Sequence, residues 1–255
     1  MTGAEIISLN DYPLAALLPH FDWEGFFRRW DVPPVPEGGA RAAAREALEK
    51  DARELLAEMV RDNLLRARGV LRFFPARSRD EAVMLYDPSA LADAAGAVDA
   101  QPEPVAVFQF PRVLRKRRAG LPNPCLADFI LPETAAAGRF DTLGLFALST
   151  GCGLAELREA AGEGSYRAIL AASLADNLVE AWSEETHARL ATWTAQLPWR
   201  SGLSEQDGRG IRPAFGYPCC PSHEDKRLAF RLLDAPARCG LSLTETAMIY
   251  PTASV

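Results

Sequence analysis

No stretch of the 255-residue chain is long and apolar enough to cross a bilayer, which takes about 20 such residues, so no membrane role is expected. Near the N-terminus, Glu5, Asp11 and Asp22 interrupt the sequence, and the apolar stretch Leu14 to Leu18 is closed by Pro13 and Pro19. That is not a signal peptide. Cysteine is scarce: Cys125, Cys152, Cys219, Cys220 and Cys239 form no C-x-x-C pair. Neither a disulfide framework nor a zinc ribbon is indicated, and a reducing cytoplasm is the expected location. Positive charge is also short, with 28 Lys and Arg against 34 Asp and Glu and a net charge of −6. A reader of phosphate backbones needs the opposite sign, so nucleic acid is not an expected partner. There is no fixed-period repeat, which excludes solenoids and propellers.

What remains is ordinary globular material, 48% hydrophobic and 24% charged, and residues 1–255 are expected to form one domain. Leu48, Leu55, Leu56, Met59, Val60 and Leu64 make a helical stripe within Ala40 to Leu65. A second long helix is expected from about Tyr166 to Trp193, because no Gly or Pro interrupts it and Leu170, Leu174, Leu178 and Ala181 share one side. Short β-branched and aromatic runs at 69–74, 82–86, 105–110, 126–131, 143–149 and 245–250 read as strands. They outnumber the places where a crossover helix fits, so the expected fold is α+β, long helices around an antiparallel sheet.

Several groups of residues invite a chemical reading. Gly151-Cys152-Gly153 follows a strand and opens a helix, but with no third glycine and no ribose-binding acid it reads as a tight connection. Cys219, Cys220 and His223 are metal-ligand types too crowded to surround one tetrahedral ion. The basic run Arg112, Arg115, Lys116, Arg117 and Arg118 reads as a solvated face. Asp176, Glu180 and His187 fall on one side of the second long helix, where helical geometry alone makes them a solvated stripe. From Arg212 to Pro218, Pro213 and Pro218 restrict the backbone, Gly216 permits a bend, Arg212 offers a planar fork for a carboxylate, and Tyr217 offers a flat face. The residues by themselves fit a rigid binding strip and a plain surface loop equally well.

Taken in order, these segments resemble the activation domain of cobalamin-dependent methionine synthase, a family that binds S-adenosylmethionine. Phe21-Asp22-Trp23 with Phe26, Phe27 and Trp30 is similar to its "DW..FF..W" opening, and Arg68-Gly69-Val70 with Phe74-Pro75-Ala76 to its "RGV..LFPA" strand. Cys125 to Phe129 matches "CLADF", and Leu174-Ala175-Asp176, Glu180-Ala181 and His187 match "LAD..EA......H". Arg212 to Pro218, His223 and Lys226 resemble "RP.PGYP..P.H..K", while Thr244-Glu245 and Ala253-Ser254-Val255 resemble "TES.AMWPGASV". The likeness spans nearly the whole chain. It departs at Phe215, where the family usually has proline, at Cys219, usually alanine, and at Tyr250 and Thr252, usually tryptophan and glycine. The Pro88 to Pro104 region is also longer than the corresponding turn.

The resemblance implies a domain that holds S-adenosylmethionine over a corrinoid whose cobalt has slipped to Co(II). One electron, typically from a flavodoxin-like donor, and the sulfonium methyl group then restore methylcobalamin. It also implies that Asp22 takes the ligand's amino group and Arg212 its carboxylate. Ala214, Gly216 and Tyr217 line the adenosyl side, and Glu180 lies near the polar end. Asp176 corresponds to the residue that receives the corrinoid's displaced histidine ligand. Cobalamin is carried by the partner, a corrinoid-binding module of methionine synthase. No side chain here is expected to be nucleophile or general base, and the chain is not expected to be active alone. The expected role is a free-standing reactivation subunit of a split-type synthase. The alternatives are a reactivator of another corrinoid methyltransferase and an assembly module that no longer binds the ligand. Because the family continues through a further aromatic segment after the motif ending at Val255, the expected pocket is open and binds weakly until a partner covers it.

Overall fold

The computed structural model describes residues 5–32, 39–89, 91, 102–113, 123–135, 139–200 and 210–255. Of the basic run only Arg112 is among them, and most of the Pro88 to Pro104 region lies outside them. Strand β1 (Ile7–Tyr12) leads through a 3-10 segment (Leu14–His20) into helices α1 (Trp23–Arg29) and α2 (Ala40–Arg61). Strands β2 (Arg66–Arg79), β3 (Ala82–Leu85), β4 (Ala106–Gln109) and β5 (Asp141–Cys152) follow, then helices α3 (Leu154–Ala161) and α4 (Tyr166–Thr194). Helices α5 (His223–Leu233) and α6 (Ala235–Cys239) and the short strands β6 (Ser242–Leu243) and β7 (Ile249–Tyr250) complete the described chain.

β2 organises the sheet. Along one edge it pairs antiparallel with β5, from Arg66 opposite Cys152 to Ala76 opposite Asp141. It also pairs with β1, Leu71 opposite Ile7, and with β3, Ala76 opposite Leu85. β4 extends the β3 side, so every strand pairing is antiparallel, as the pattern predicts. Successive β2 side chains go to opposite faces. Val70, Phe74 and Ala76 join a core with Phe230 and Leu233 of α5, whereas Leu71 and Phe73 meet Leu190 and Trp193 at the far end of α4 and Leu197 just beyond it. Helices therefore cover both faces, and between Gly69 and Ala76 the strand reads as an apolar run broken only by Arg72 rather than an alternation.

α4 begins at Ser165, whose hydroxyl accepts from the Ala168 amide, and buries Leu170, Leu174, Leu178 and Trp182. Trp182 is 1% exposed. Each such side chain stabilises the fold by about 1.5–3 kcal/mol, which holds the helix in place whatever its polar face does.

Two expected strands are corrected. Residues 126–129 form a 3-10 turn, because the Asp128 carboxylate accepts from the Cys125 amide at 3.0 Å and the Cys125 sulfur accepts from the Ala127 amide. That reciprocal cap outweighs the short apolar run. Of 245–250 only Ile249 and Tyr250 are extended, since Thr244 and Met248 close a turn on each other. The glycines of Gly151-Cys152-Gly153 are backbone-packing positions: a Cβ at 151 would meet the Thr252 carbonyl, and one at 153 the Leu64 carbonyl. The segment is a tight connection.

Candidate functional site

The aromatic opening motif is an anchor for Asp22. Phe26 and Phe27 are buried in α1, and the Trp30 indole donates to Ser173 Oγ of α4 at 2.9 Å. Arg29 donates to Asn177 Oδ1 on the same helix. Asp22 caps α1, its Oδ1 accepting from the Gly25 amide at 2.9 Å, while Oδ2 stands 3.6 Å from Arg28 Nη2. Behind it, Glu185 takes the Tyr12 hydroxyl and His20 Nε2, each at 2.9 Å, and ties the 3-10 segment to α4.

Between α1, the 3-10 segment and α4 lies a cleft of about 510 Å³, lined by His20, Asp22, Arg28, Arg29, Asn177, Glu180 and Glu184, with Gly25 and Ala181. Asp22 and Glu180 thus line the same cleft. A larger cleft of about 570 Å³ runs between β2 and α3, lined by Arg66, Arg68, Cys152 and Glu156 among others. None of the expected ligand residues lines that one.

Arg212, from a distant part of the chain, does not line the first cleft but pairs with Glu184, which does. Its Nη2 donates to Glu184 Oε1, and its Nη1 is buried with no hydrogen-bond partner among the described residues. Leaving a buried donor unpaired costs about 1–3 kcal/mol, so the arrangement is suited to an incoming acceptor. Like Arg212, Ala214, Gly216 and Tyr217 are not among the cleft-lining residues; they belong to the strip that follows it in sequence. Phe215 anchors the strip with its ring 6.0 Å from that of Phe108. Gly216 has φ of 98°, and its amide donates to the Cys220 carbonyl at 2.9 Å. The Cys220 amide returns to the Tyr217 carbonyl, also at 2.9 Å, and its thiol donates to the Ala214 carbonyl. Burial, reinforced by Cys219, pushes the Cys220 thiol up to about 12, in keeping with its donating to the Ala214 carbonyl. Among the described residues no three His, Cys, Asp or Glu side chains are grouped to hold a metal. Tyr217 is 63% exposed, with its flat face open to water.

Asp176 sits one turn before Glu180 and outside the cleft lining. Its side chain reaches solvent, yet the packed atoms around it desolvate its carboxyl and push its pKa up; Arg29 opposes the shift and Glu180 adds to it. His187, the last member of the expected stripe, is half-buried with Nδ1 unpartnered among the described residues and does not line the cleft. The sequence reading missed His20, Arg28, Arg29, Asn177 and Glu184. Glu184 alone had a visible signal, since it continues the one-turn spacing from Asp176 and Glu180.

Residues 13–255 match the model of the activation domain of vitamin B12 dependent methionine synthase. The chain belongs to this family. A solved relative is the MetH reactivation domain, whose crystal structure is bound to AdoHcy. It is 27% identical, superposes with a TM-score of 0.80, and is matched over 100% of this chain and 79% of its own. The activation-domain fold is thereby established. No described helix is long and apolar enough to cross a membrane.

Proposed function

We propose that this activation domain binds S-adenosylmethionine at the α4 cleft and the adjoining strip, and presents its methyl group to a corrinoid carried by a partner module. The observation that carries this reading is the Arg212 guanidinium, with one arm on Glu184 and Nη1 buried and unpartnered. Glu184, which it holds, lines the cleft together with Asp22 and Glu180. A ligand with a carboxylate, an ammonium and a sulfonium calls for this donor set: an arginine for the first and carboxylates for the two cations.

In this reading Arg212 grips the carboxylate, Asp22 takes the ammonium while keeping its bond to Gly25, and Glu180 favours the positive polar end. Ala214, Gly216 and Tyr217 border the adenosyl group. The corrinoid, reduced by one electron from a flavodoxin-like donor, supplies the nucleophile; this chain contributes binding and orientation. Asp176, accessible and beside the site, receives the histidine displaced from the corrinoid. The split arrangement, in which this chain serves a corrinoid module on a separate polypeptide, is part of the same proposal.

Calorimetry with S-adenosylmethionine, with and without saturating corrinoid module, tests the reading. The open face of Tyr217 predicts weak binding alone and tighter binding when the module covers it. The ligand must then raise the module's affinity by the same factor, because linkage is reciprocal. Absence of binding in both titrations would overturn the ligand assignment, and equal dissociation constants would overturn the shared cover.

A further inference from the structure

Glu184 has no role in the reading above, yet it is the residue through which the two halves of the site touch. It lies one helical turn beyond Glu180 on α4 and lines the same cleft. The partner it holds, Arg212, is 28 positions away in sequence. The side chains are 55% exposed for Glu184 and 23% for Arg212. An ion pair so open to water contributes little to stability, so the contact is better explained by what it does to the guanidinium than by what it adds to the fold.

A guanidinium is a planar fork with a fixed set of donors. With Nη2 committed to Glu184, rotation of that plane is restricted, and Nη1 is the donor left buried without a protein acceptor among the described residues. Among the described residues the strip offers no comparable grip: Pro213 follows Arg212 without an amide to donate, and the strip's own bonds, Ala214 to Cys220 and Gly216 to Cys220, begin further along. On this geometry Arg212 would be oriented from the helix, not from the segment that bears it.

We propose that Glu184 is a positioning residue for the ligand carboxylate, fixing the Arg212 guanidinium so that its Nη1 edge is presented to that carboxylate. This rests on the reading of Arg212 as the carboxylate anchor. Glu184 itself makes no contact with the ligand in this scheme; it acts through Arg212.

The test is a double-mutant cycle on the full chain, read by calorimetry with two ligands: S-adenosylmethionine, and 5′-methylthioadenosine, which is neutral and lacks the whole amino-acid chain. Glu184→Ala is expected to weaken S-adenosylmethionine about tenfold, and Glu184→Gln, which keeps an acceptor, to recover most of that. Neither should change the affinity for 5′-methylthioadenosine, whereas a merely structural defect would weaken both ligands alike. In an Arg212→Ala background, Glu184→Ala should have no further effect. A loss that persists in that background would overturn the proposal, because Glu184 would then act on the ligand directly. So would unchanged affinity in Glu184→Ala alongside a clear loss in Arg212→Ala. No loss in Arg212→Ala itself would instead overturn the carboxylate assignment on which the proposal stands.

Discussion

Glu180 and Glu184 project from a helix whose other side buries Leu174, Leu178 and Trp182, whereas Arg212 leaves an extended segment held by Phe215 packing and the bonds of Cys220 to Ala214, Gly216 and Tyr217. The helix wall is positioned by apolar burial remote from the cleft, so its polar side chains are free to be chosen for binding. The strip has no such reserve. Its shape and its function rest on the same few contacts, and one substitution there is expected to disturb both.

The largest effect should come at the junction. Arg212→Ala is expected to weaken S-adenosylmethionine by about 10- to 100-fold, the worth of a charge-assisted contact, with Arg212→Lys recovering only part. Unchanged affinity would place the carboxylate elsewhere. Next is Gly216→Ala, where a Cβ at φ of 98° strains the backbone by roughly 1–2 kcal/mol. Both the thermal midpoint and ligand affinity should fall together. If neither moves, the strip is not as dependent on its own geometry as the comparison holds.

On the helix wall the two should separate. Glu180→Gln is expected to lower affinity severalfold with no change in thermal midpoint, while Asp176→Asn leaves binding within about twofold but impairs reactivation of the corrinoid partner. Reversed effects would mean that the two carboxylates have exchanged roles.

The smallest effect is a pH dependence of opposite sign at two aspartates. Desolvation holds the Asp176 pKa up, so the folded chain keeps that proton more tightly than the unfolded chain does. The resulting stability is present below the ordinary aspartate value and is lost as pH rises through the raised one. Asp128 is the reverse: hydrogen bonds from Arg112 at 2.8 and 2.9 Å hold its pKa down, and its contribution, present above the ordinary value, is lost as pH falls through the lowered one. In thermal melts at neutral pH, Asp176→Asn should therefore be neutral to slightly stabilising and Asp128→Asn destabilising. Both differences should shrink below about pH 4. Like signs for the two variants would remove the distinction.

How much of this was legible follows the range of the forces involved. The α4 helix and its acidic spacing could be read from the sequence because periodicity and the absence of Gly and Pro act within a few residues. The local restriction at Pro213 and Pro218 could be read as well, since each fixes its own φ, but the residues alone left open whether the strip binds anything. The strand expected at 126–131 failed because composition does not reveal that Cys125 and Asp128 cap one another. That Asp22 and Glu180 line one cleft could be anticipated only through the family resemblance, as it depends on Trp30 reaching Ser173 across 143 residues. The pairing of Arg212 with Glu184, and the unpartnered Nη1 it leaves, were decided by tertiary structure alone: one arginine among many meets one particular carboxylate only when the fold has closed the distance between them.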